Sequence, residues 1–292
     1  MAERVPVGDG HGHSNPVRGL GAARIADRFR RSGGWFQALV ALSPWHYAID
    51  YRGFESYVET VELHIRECKA VEDAGLRVAC LAGFHPADVD KLIDKYRLKP
   101  VEALELGLRV VDYVAGLCRE GVLDGIGEVG RQHYKTAPER VLVSEIILER
   151  AMEYARDYGC LVHMHLENSG ADTVLLTHRR AEALGVAPGR GRERLVFHHS
   201  KPVMVEKAHE LGYPSTLPGI ARLLEGVANR LRPVYMVESD YIDDPARPGA
   251  VVYPWDMADT INRLVSKGVL DAEAAYKISV DNIVKTYGVE PP

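Results

Sequence analysis

Residues Val5 to Asn15 read VPVGDGHGHSN, and we expect the fold to be organised around this stretch. Its apolar beginning is typical of a short buried strand, which ends in His11 and His13. Side chains at positions i and i+2 of a strand leave the same face, so both imidazoles can point at one ion. Neutral imidazole is a ligand for zinc and similar divalent metals. A solvated glycine-rich loop would show the same pattern, so residues further along the chain must decide between the two interpretations.

The composition is that of an ordinary globular protein. The 292 residues are 46% hydrophobic and 26% charged, which suffices for one α/β barrel of about 250 residues. We therefore expect a single domain over residues 1–292. The formal net charge of −5 argues against a general electrostatic attraction to nucleic acid and leaves room only for a local basic groove.

The chain shows no targeting or membrane segment. No apolar run reaches the roughly 18 residues of a membrane span, and the N-terminal MAERVPVGDG lacks the apolar core of a signal peptide. We expect a cytoplasmic protein with no membrane partner and no obligate protein partner. Cys68, Cys80, Cys118 and Cys160 form no CxxC pair, which favours buried free thiols over disulfides or metal ligation.

Segments that read as strands alternate with segments that read as helices about eight times, which is the pattern of a closed parallel (β/α)8 TIM barrel. After the first strand, the predicted strands are Trp35 to Pro44, Leu76 to Pro86, Leu123 to Val129, Cys160 to Asn168, Arg194 to Ser200, Tyr213 to Gly219 and Pro233 to Asp244. The predicted helices are Arg18 to Arg31, Glu55 to Ala74, Asp88 to Tyr96, Val101 to Arg119, Pro138 to Tyr158, Asp172 to Leu184, Val203 to Leu211, Ile220 to Leu231, Trp255 to Lys267 and Ala272 to Tyr287, with a Gly/Arg-rich loop at Gly185 to Arg194. An open doubly wound sheet is the alternative, and it would leave the first and last strands too far apart to share a metal.

Polar residues collect at the C-terminal ends of the predicted strands, where such barrels build their active sites. Glu128 lies among glycines in GIGEVG, where a buried carboxylate needs either a salt bridge or a bound cation. His163 and His165 repeat the two-residue spacing of the first strand, whereas only one of the neighbours His198 and His199 should face the interior. The candidate metal ligands are His11, His13, Glu128, His165, His198 and Asp240, and Glu238 could share the face of Asp240.

Six motifs in this order resemble the TatD family of metal-dependent hydrolases in the amidohydrolase superfamily. They are DGHGH (Asp9 to His13), AGFHP (Ala82 to Pro86), GIGEVG (Gly125 to Gly130), VHMH (Val162 to His165), VFHH (Val196 to His199) and VESD (Val237 to Asp240), and DNIVKTYG (Asp281 to Gly288) resembles the last helix of the family. The resemblance covers nearly the full chain. It implies a TIM barrel with metal-dependent deoxyribonuclease activity.

The resemblance also implies roles for the strand-end residues. His11, His13 and Asp240 would bind one divalent ion, and Glu128 would bridge it to a second ion bound by His165 and His198. A hydroxide held between the two ions would attack the substrate. Asp240, Glu128 and His85 would act in catalysis, with Asp240 accepting the proton of the nucleophile and His85 contacting the substrate. Histidine and carboxylate ligands do not distinguish Zn, Mn, Mg, Ni or Co.

Several residues depart from the family pattern. Arg131 and Gln132 replace residues that follow the bridging glutamate in the family, and Glu167 stands where a basic residue would suit a phosphate. An anion near the metals repels a phosphate oxygen, so Glu167 weakens the nuclease interpretation. His163 has no role in the family, and we expect it to hydrogen-bond a ligand carboxylate. Tyr134 could face the substrate.

Three functions are therefore compatible with the sequence. The first is a TatD-like phosphodiesterase or deoxyribonuclease, in which Arg131, Lys135 and Lys201 would line the substrate groove. The second is a hydrolase of carboxylic esters, lactones or amides on the same metal centre, and the third is a non-catalytic metal-binding protein. The expected partner is a small-molecule or nucleic-acid substrate.

Overall fold

A computed structural model describes residues 4–189, 194–247 and 251–292, and it shows eight parallel strands alternating with helices. The strands are β1 (Val7–Gly12), β2 (Gly34–Val40), β3 (Arg77–Ala82), β4 (Gly125–Gly130), β5 (Leu161–His165), β6 (Leu195–Phe197), β7 (Thr216–Pro218) and β8 (Met236–Glu238). The predicted (β/α)8 pattern is confirmed. The observed strands are shorter than predicted.

Backbone hydrogen bonds join the strands into a closed ring. Strands β1 to β6 form one parallel sheet in sequence order, and β7 pairs with β8. The amide of Phe197 donates to the carbonyl of Pro214 at 3.0 Å and connects β6 to β7. The amide of Asp240 donates to the carbonyl of His11 at 2.9 Å, which joins the end of β8 to β1. The first and last strands are therefore neighbours, as a barrel requires and as an open sheet would not allow.

The helices surround the strands. They are α1 (Ala22–Arg31), α2 (Phe54–Asp73), α3 (Pro86–Asp94), α4 (Pro100–Arg119), α5 (Pro138–Asp157), α6 (Ala171–Ala183), α7 (Pro202–Glu210), α8 (Ala221–Val227), α9 (Pro254–Ser266), α10 (Ala272–Tyr276) and α11 (Asn282–Tyr287). Five of them begin with proline, whose fixed φ suits the first helical position and whose missing N–H is not needed there. Part of the predicted Gly/Arg-rich loop, residues 190–193, lies outside the described residues.

Three helices differ from the prediction, and one of them, α8, ends at Val227 rather than Leu231. Helix α1 begins at Ala22 rather than Arg18, because the Asp243 carboxylate accepts hydrogen bonds from the amides of Asn15, Leu20 and Gly21 and holds that segment in a loop. The predicted C-terminal helix is divided by a π-helical segment at Lys277–Asp281, between α10 and α11.

The apolar core has two parts. The larger part fills the layer between the strands and the surrounding helices. The smaller part includes Phe36, Ala38 and Val40, alternate residues of β2, which pack with Val280 and Ile283 from the C-terminal helical segment. The indole of Trp35 donates to the carbonyl of Ser279 at 3.0 Å and fixes that segment against the barrel. This packing holds the last helix, and with it Tyr287, next to β1.

Within the three described ranges, no helix combines the length and the apolar character that a bilayer crossing requires.

The prediction of free thiols was wrong, because all four cysteines form disulfides. Cys68 of α2 is bonded to Cys80 of β3, with a Cα–Cα distance of 5.9 Å. Cys118 of α4 is bonded to Cys160, which precedes β5, with a Cα–Cα distance of 6.1 Å. Cys68 and Cys80 are adjacent because α2 packs on β3, the strand that follows it, and Cys118 and Cys160 are adjacent because α4 packs beside α5, which leads into β5. These distances lie within the range that a disulfide needs.

Removing the disulfides should destabilise the protein by an amount set by the loop that each closes. For Cys118→Ser combined with Cys160→Ser, whose residues are 42 apart, the chain-entropy model gives a loss of about 4 kcal/mol in the free energy of unfolding. For the pair Cys68 and Cys80, separated by 12 residues, it gives about 3 kcal/mol. Denaturant titration of each double variant measures the loss. Four reactive thiols in the denatured, unreduced wild type would contradict the pairing.

Candidate metal centre

The Glu128 carboxylate lies at the centre of a cluster of histidines at the C-terminal ends of the strands. It is 7% exposed, and each of its two oxygens faces a different group of imidazoles. Oε1 is 3.1 Å from Nε2 of His11 and 3.2 Å from Nε2 of His13. Oε2 is 2.7 Å from Nδ1 of His165 and 3.4 Å from Nε2 of His198. The structure therefore brings five of the six predicted ligands into one cluster, with the glutamate between two pairs.

Asp240 completes the predicted set on the side of His13. Its Oδ1 is 3.7 Å from Nε2 of His13. His11, His13, Glu128 and Asp240 offer ligand atoms that all lie within 4.8 Å of one another. Asp240 adopts a left-handed backbone conformation, with φ of 47°, and this turn directs the chain back across β1.

The backbone beneath this cluster is fixed by Asp9, the first residue of the DGHGH motif. Its fully buried carboxylate accepts hydrogen bonds from the amide of Ser239 at 2.7 Å and from the hydroxyl of Ser239 at 2.6 Å. A Cβ atom on Gly12 would lie 2.9 Å from both the Asp9 carboxylate and the Ser239 hydroxyl. Glycine between the two histidines of β1 therefore allows β8 to approach closely enough to deliver Asp240.

Of the neighbours His198 and His199, only His198 faces the interior, as predicted, although both lie at the site. Strand β6 ends at Phe197, and His199 has a φ of 58°. Strand alternation therefore does not apply to this pair. His198 points inward, and its Nδ1 is 3.5 Å from the fully buried Glu238. His199 lies at the opening, where its Nδ1 is 3.0 Å from Asp240.

His163 contacts a histidine rather than the carboxylate that we expected. Its Nδ1 is 2.9 Å from Nδ1 of His11, and its Nε2 is 2.9 Å from the hydroxyl of Tyr287. The expected partner was wrong because His163 lies beneath His11, on the side of that ring that faces away from Glu128.

Two further histidines border the cluster. Nδ1 of His85 accepts a hydrogen bond from the amide of Ala87, so its Nε2 carries the proton and donates to Glu128 at 3.2 Å. His133 was not predicted, and its Nδ1 is 2.6 Å from Nε2 of His165. The neighbouring Tyr134 instead donates to Asp90. The sequence does show a histidine in the loop after Glu128, and this position could have indicated that His133 borders the cluster.

The donor set fits a divalent cation. Nδ1 of His13 donates to the carbonyl of Val40 at 2.8 Å, so the lone pair of its Nε2 faces Glu128 Oε1. Two acceptors at this distance need a proton or a cation between them. Although burial opposes the charged form, hydrogen bonds to Asp240 and Glu128 raise the pKa of His13 to about 10. A proton thus occupies the position between nitrogen and carboxylates that a metal ion would take.

The carboxylates of the cluster are ionised. Burial favours the neutral acid of Glu128, but the charge of His198 and the N–H that His85 donates hold its pKa well below its usual range. Burial likewise opposes ionisation of Asp240, and hydrogen bonds from His13 and His199 outweigh it and lower its pKa. Burial lowers the pKa of His165 to about 3, so its imidazole is neutral and can act as a ligand.

A cavity of about 550 Å³ opens above the cluster. Among the described residues, two cationic side chains line it, Lys91 of α3 and Arg247 of the segment after β8. The ammonium group of Lys91 lies 4.1 Å from the centre of the Trp45 ring, which also lines the cavity. The other polar residues of the lining are His13, Ser43, His46, His85, Asp88, Glu128, His133, His165, His199 and Asp240.

The predicted roles of Arg131 and Glu167 were wrong. Arg131 donates to Glu167 at 2.7 Å and 3.0 Å and to Glu145 at 2.9 Å. These side chains line a separate pocket beside α6. Glu167 is therefore neutralised and does not face a substrate in the central cavity. The other two residues expected in the substrate groove, Lys135 and Lys201, are exposed and take no part in the lining of the cavity.

Comparison with known proteins agrees with this geometry. A family model described as TatD related DNase matches residues 9–288. A relative from Methanocaldococcus jannaschii, the uncharacterized protein MJ1127, is 30% identical over 296 residues, which cover 99% of this chain and 98% of that protein.

Solved structures share the fold at low sequence identity. The phosphotriesterase homology protein from Escherichia coli, complexed with phosphate in its active site, aligns with a TM-score of 0.60 at 13% identity and covers 97% of this chain and 99% of its own. An uncharacterized amidohydrolase from Saccharomyces cerevisiae gives 0.61 at 13% identity, with 96% and 98% coverage. The organophosphorus hydrolase from Deinococcus radiodurans gives 0.60 at 12% identity, with 98% and 92% coverage.

Substituting Arg131 should reduce stability rather than substrate binding. In Arg131→Met the carboxylates of Glu145 and Glu167 lose their shared cation, and we expect the free energy of unfolding to fall by roughly 3 kcal/mol. Lys201→Met, at an exposed position, should change it by less than about 0.5 kcal/mol. Denaturant titration of both variants provides the measurement. Unchanged stability in Arg131→Met together with weakened substrate binding would show that Arg131 does line the substrate groove.

Proposed function

This chain belongs to the TatD-related DNase family of metal-dependent hydrolases, and from that premise we propose that it is a divalent-metal-dependent phosphodiesterase that cleaves DNA. The observation that carries the proposal is the pairing of a histidine–carboxylate centre with two cationic side chains, Lys91 and Arg247, in one cavity. We also infer that residues 1–292 form a single hydrolase domain, because the family match and the closed barrel both span nearly the whole chain.

The proposed metal ligands are those that meet around Glu128. His11, His13 and Asp240 would hold one divalent ion on the Oε1 side of Glu128, and His165 and His198 would hold a second on the Oε2 side. When bound, such ions polarise a phosphoryl oxygen and lower the pKa of water. The separation of the imidazoles into two groups, one for each glutamate oxygen, supports a pair of ions rather than one.

The residues of the chain itself would move protons and orient the substrate. Asp240 is ionised, and its Oδ2 is 3.0 Å from Nδ1 of the half-exposed His199. This contact gives a proton accepted at Asp240 a path toward the leaving group at the opening. His85 holds its Nε2–H on Glu128 and lies in the cavity wall, so it can fix the carboxylate and approach the substrate.

The charges of the cavity favour a phosphodiester over a neutral ester. A phosphodiester carries one negative charge, which Lys91 and Arg247 can balance above a centre that already contains two carboxylates. Glu167 had favoured a neutral ester or lactone, and its ion pair with Arg131 removes that argument. Because the overall charge of the protein is −5, the electrostatic attraction of DNA would have to come from these local cations.

The first test measures hydrolysis and metal content together. The purified protein is loaded with Mn²⁺, Mg²⁺ or Zn²⁺ in parallel and offered a labelled DNA oligonucleotide, a lactone and a carboxylic ester. We expect nucleotide release from DNA, a fall of roughly 10²- to 10⁴-fold in Asp240→Asn, and loss of bound metal in Glu128→Gln. Glu182→Gln, an exposed change on α6, is the control. Hydrolysis of the lactone or ester without cleavage of DNA would contradict the proposal.

The second test concerns the cavity cation Lys91. Lys91→Met removes a charged hydrogen-bond donor, a loss of roughly 1.5 to 3 kcal/mol in binding, so KM for DNA should rise about tenfold or more while kcat changes little. Lys95→Met, one helical turn further and exposed, should leave KM unchanged. An equal effect of both substitutions would show that only general charge attraction is lost.

A further inference from the structure

Beneath the metal centre lies a chain of three hydrogen bonds whose residues do not line the cavity. It runs from the carbonyl of Gly10 through the hydroxyl of Tyr287 and the ring of His163 to Nδ1 of His11. The three distances are 2.8, 2.9 and 2.9 Å. His11 and His163 are fully buried, and neither His163 nor Tyr287 had a role in the family resemblance.

The direction of each hydrogen bond follows from the acceptor at one end. A carbonyl can only accept, so the single proton of the Tyr287 hydroxyl points to Gly10. The oxygen of Tyr287 must then accept from Nε2–H of His163. His163 contacts neutral partners at both nitrogens, and a buried imidazolium without a carboxylate would be costly, so the ring is neutral and Nδ1 has no proton.

The proton between the two imidazoles therefore belongs to His11. Nδ1–H of His11 donates to Nδ1 of His163, so Nε2 is the nitrogen of His11 that is left to bind a cation or, where no cation is bound, a proton. That nitrogen is 3.1 Å from Oε1 of Glu128, on the side where a cation would bind. The other tautomer of His11 would direct a proton at this position instead.

We propose that His163 and Tyr287 are positioning residues that fix the tautomer of His11 and thereby present its Nε2 lone pair to a divalent cation. The assignment of His11 as a ligand rests on the proposed function. The hydrogen bonds among Gly10, Tyr287, His163 and His11 depend on neither metal nor substrate. The C-terminal helical segment, which carries Tyr287, thus links the closed base of the barrel to the metal centre.

Two variants of His163, one with asparagine and one with leucine, separate hydrogen bonding from packing because the two new side chains have similar shapes. In His163→Asn the side-chain oxygen can still accept from Nδ1–H of His11, whereas in His163→Leu no acceptor remains. We expect the leucine variant to bind Zn²⁺ or Mn²⁺ 10- to 100-fold more weakly than the wild type, and the asparagine variant to stay within about threefold. Equal affinities in leucine, asparagine and wild-type proteins would overturn the proposal.

Tyr287→Phe provides a second variant that keeps the ring. Without the hydroxyl, Nε2–H of His163 has no acceptor, so His163 can turn its proton toward His11 and reverse the tautomers. The matched control is Tyr213→Phe, which removes a hydroxyl 2.9 Å from Nδ1 of His178 at a tyrosine–histidine pair outside the metal centre. Metal affinity should fall 10- to 100-fold in Tyr287→Phe and remain unchanged in Tyr213→Phe.

The tautomer can be read directly in the metal-free protein. Long-range ¹H–¹⁵N correlation spectra distinguish a protonated ring nitrogen from an unprotonated one. We expect Nδ1 of His11 to be protonated in the wild type and unprotonated in Tyr287→Phe. An unprotonated Nδ1 of His11 in the wild type would overturn the proposal. Because this readout needs neither metal nor substrate, it stands apart from the DNA-cleavage assay, and absence of nuclease activity would not affect it.

Discussion

The structure depends on burying one carboxylate, Glu128, where four strands bring imidazoles to it. A carboxylate removed from water is costly unless charge or hydrogen bonds replace the solvent. Here the compensation comes from ring nitrogens of β1 and β5 and from the end of β6, with His85 donating from the end of β3. No two adjacent strands could supply all of these groups, so the candidate metal centre depends on the closed barrel.

The histidines around Glu128 are themselves held in place by a second set of contacts. Each histidine nitrogen that faces Glu128 belongs to a ring whose other nitrogen is engaged below or beside it. His13 is held by the carbonyl of Val40, and His198 lies against Glu238, whose carboxylate Thr216 also contacts. Such outer contacts fix ring orientation and decide which nitrogen can bind a metal. The hydrogen-bonded groups come from the strands themselves, so the residues that close the barrel also orient the ligands.

The extent to which the sequence predicts the site follows from the range of the interactions involved. The alternation of side chains on a strand is local, so the sequence predicted that His11, His13 and His165 would point inward. His198 and His199 follow the end of β6, where alternation no longer applies, and His199 has a left-handed backbone. The disulfides and the ion pair of Arg131 with Glu167 join residues 12 to 42 positions apart. Their pairing depends on how helices pack on strands, which periodicity does not specify.

The charge that governs substrate choice is also a tertiary property. Glu167 follows the end of β5 and, considered by itself, would repel a phosphate, yet Arg131 turns it into part of a neutral cluster outside the cavity. The cations that do line the cavity, Lys91 and Arg247, lie on α3 and on the segment after β8. Neither residue contributes to the cluster around Glu128. Since separate elements hold the histidine–carboxylate cluster and the cavity cations, a change in Lys91 or Arg247 would alter the charge of the cavity while the geometry around Glu128 stays the same.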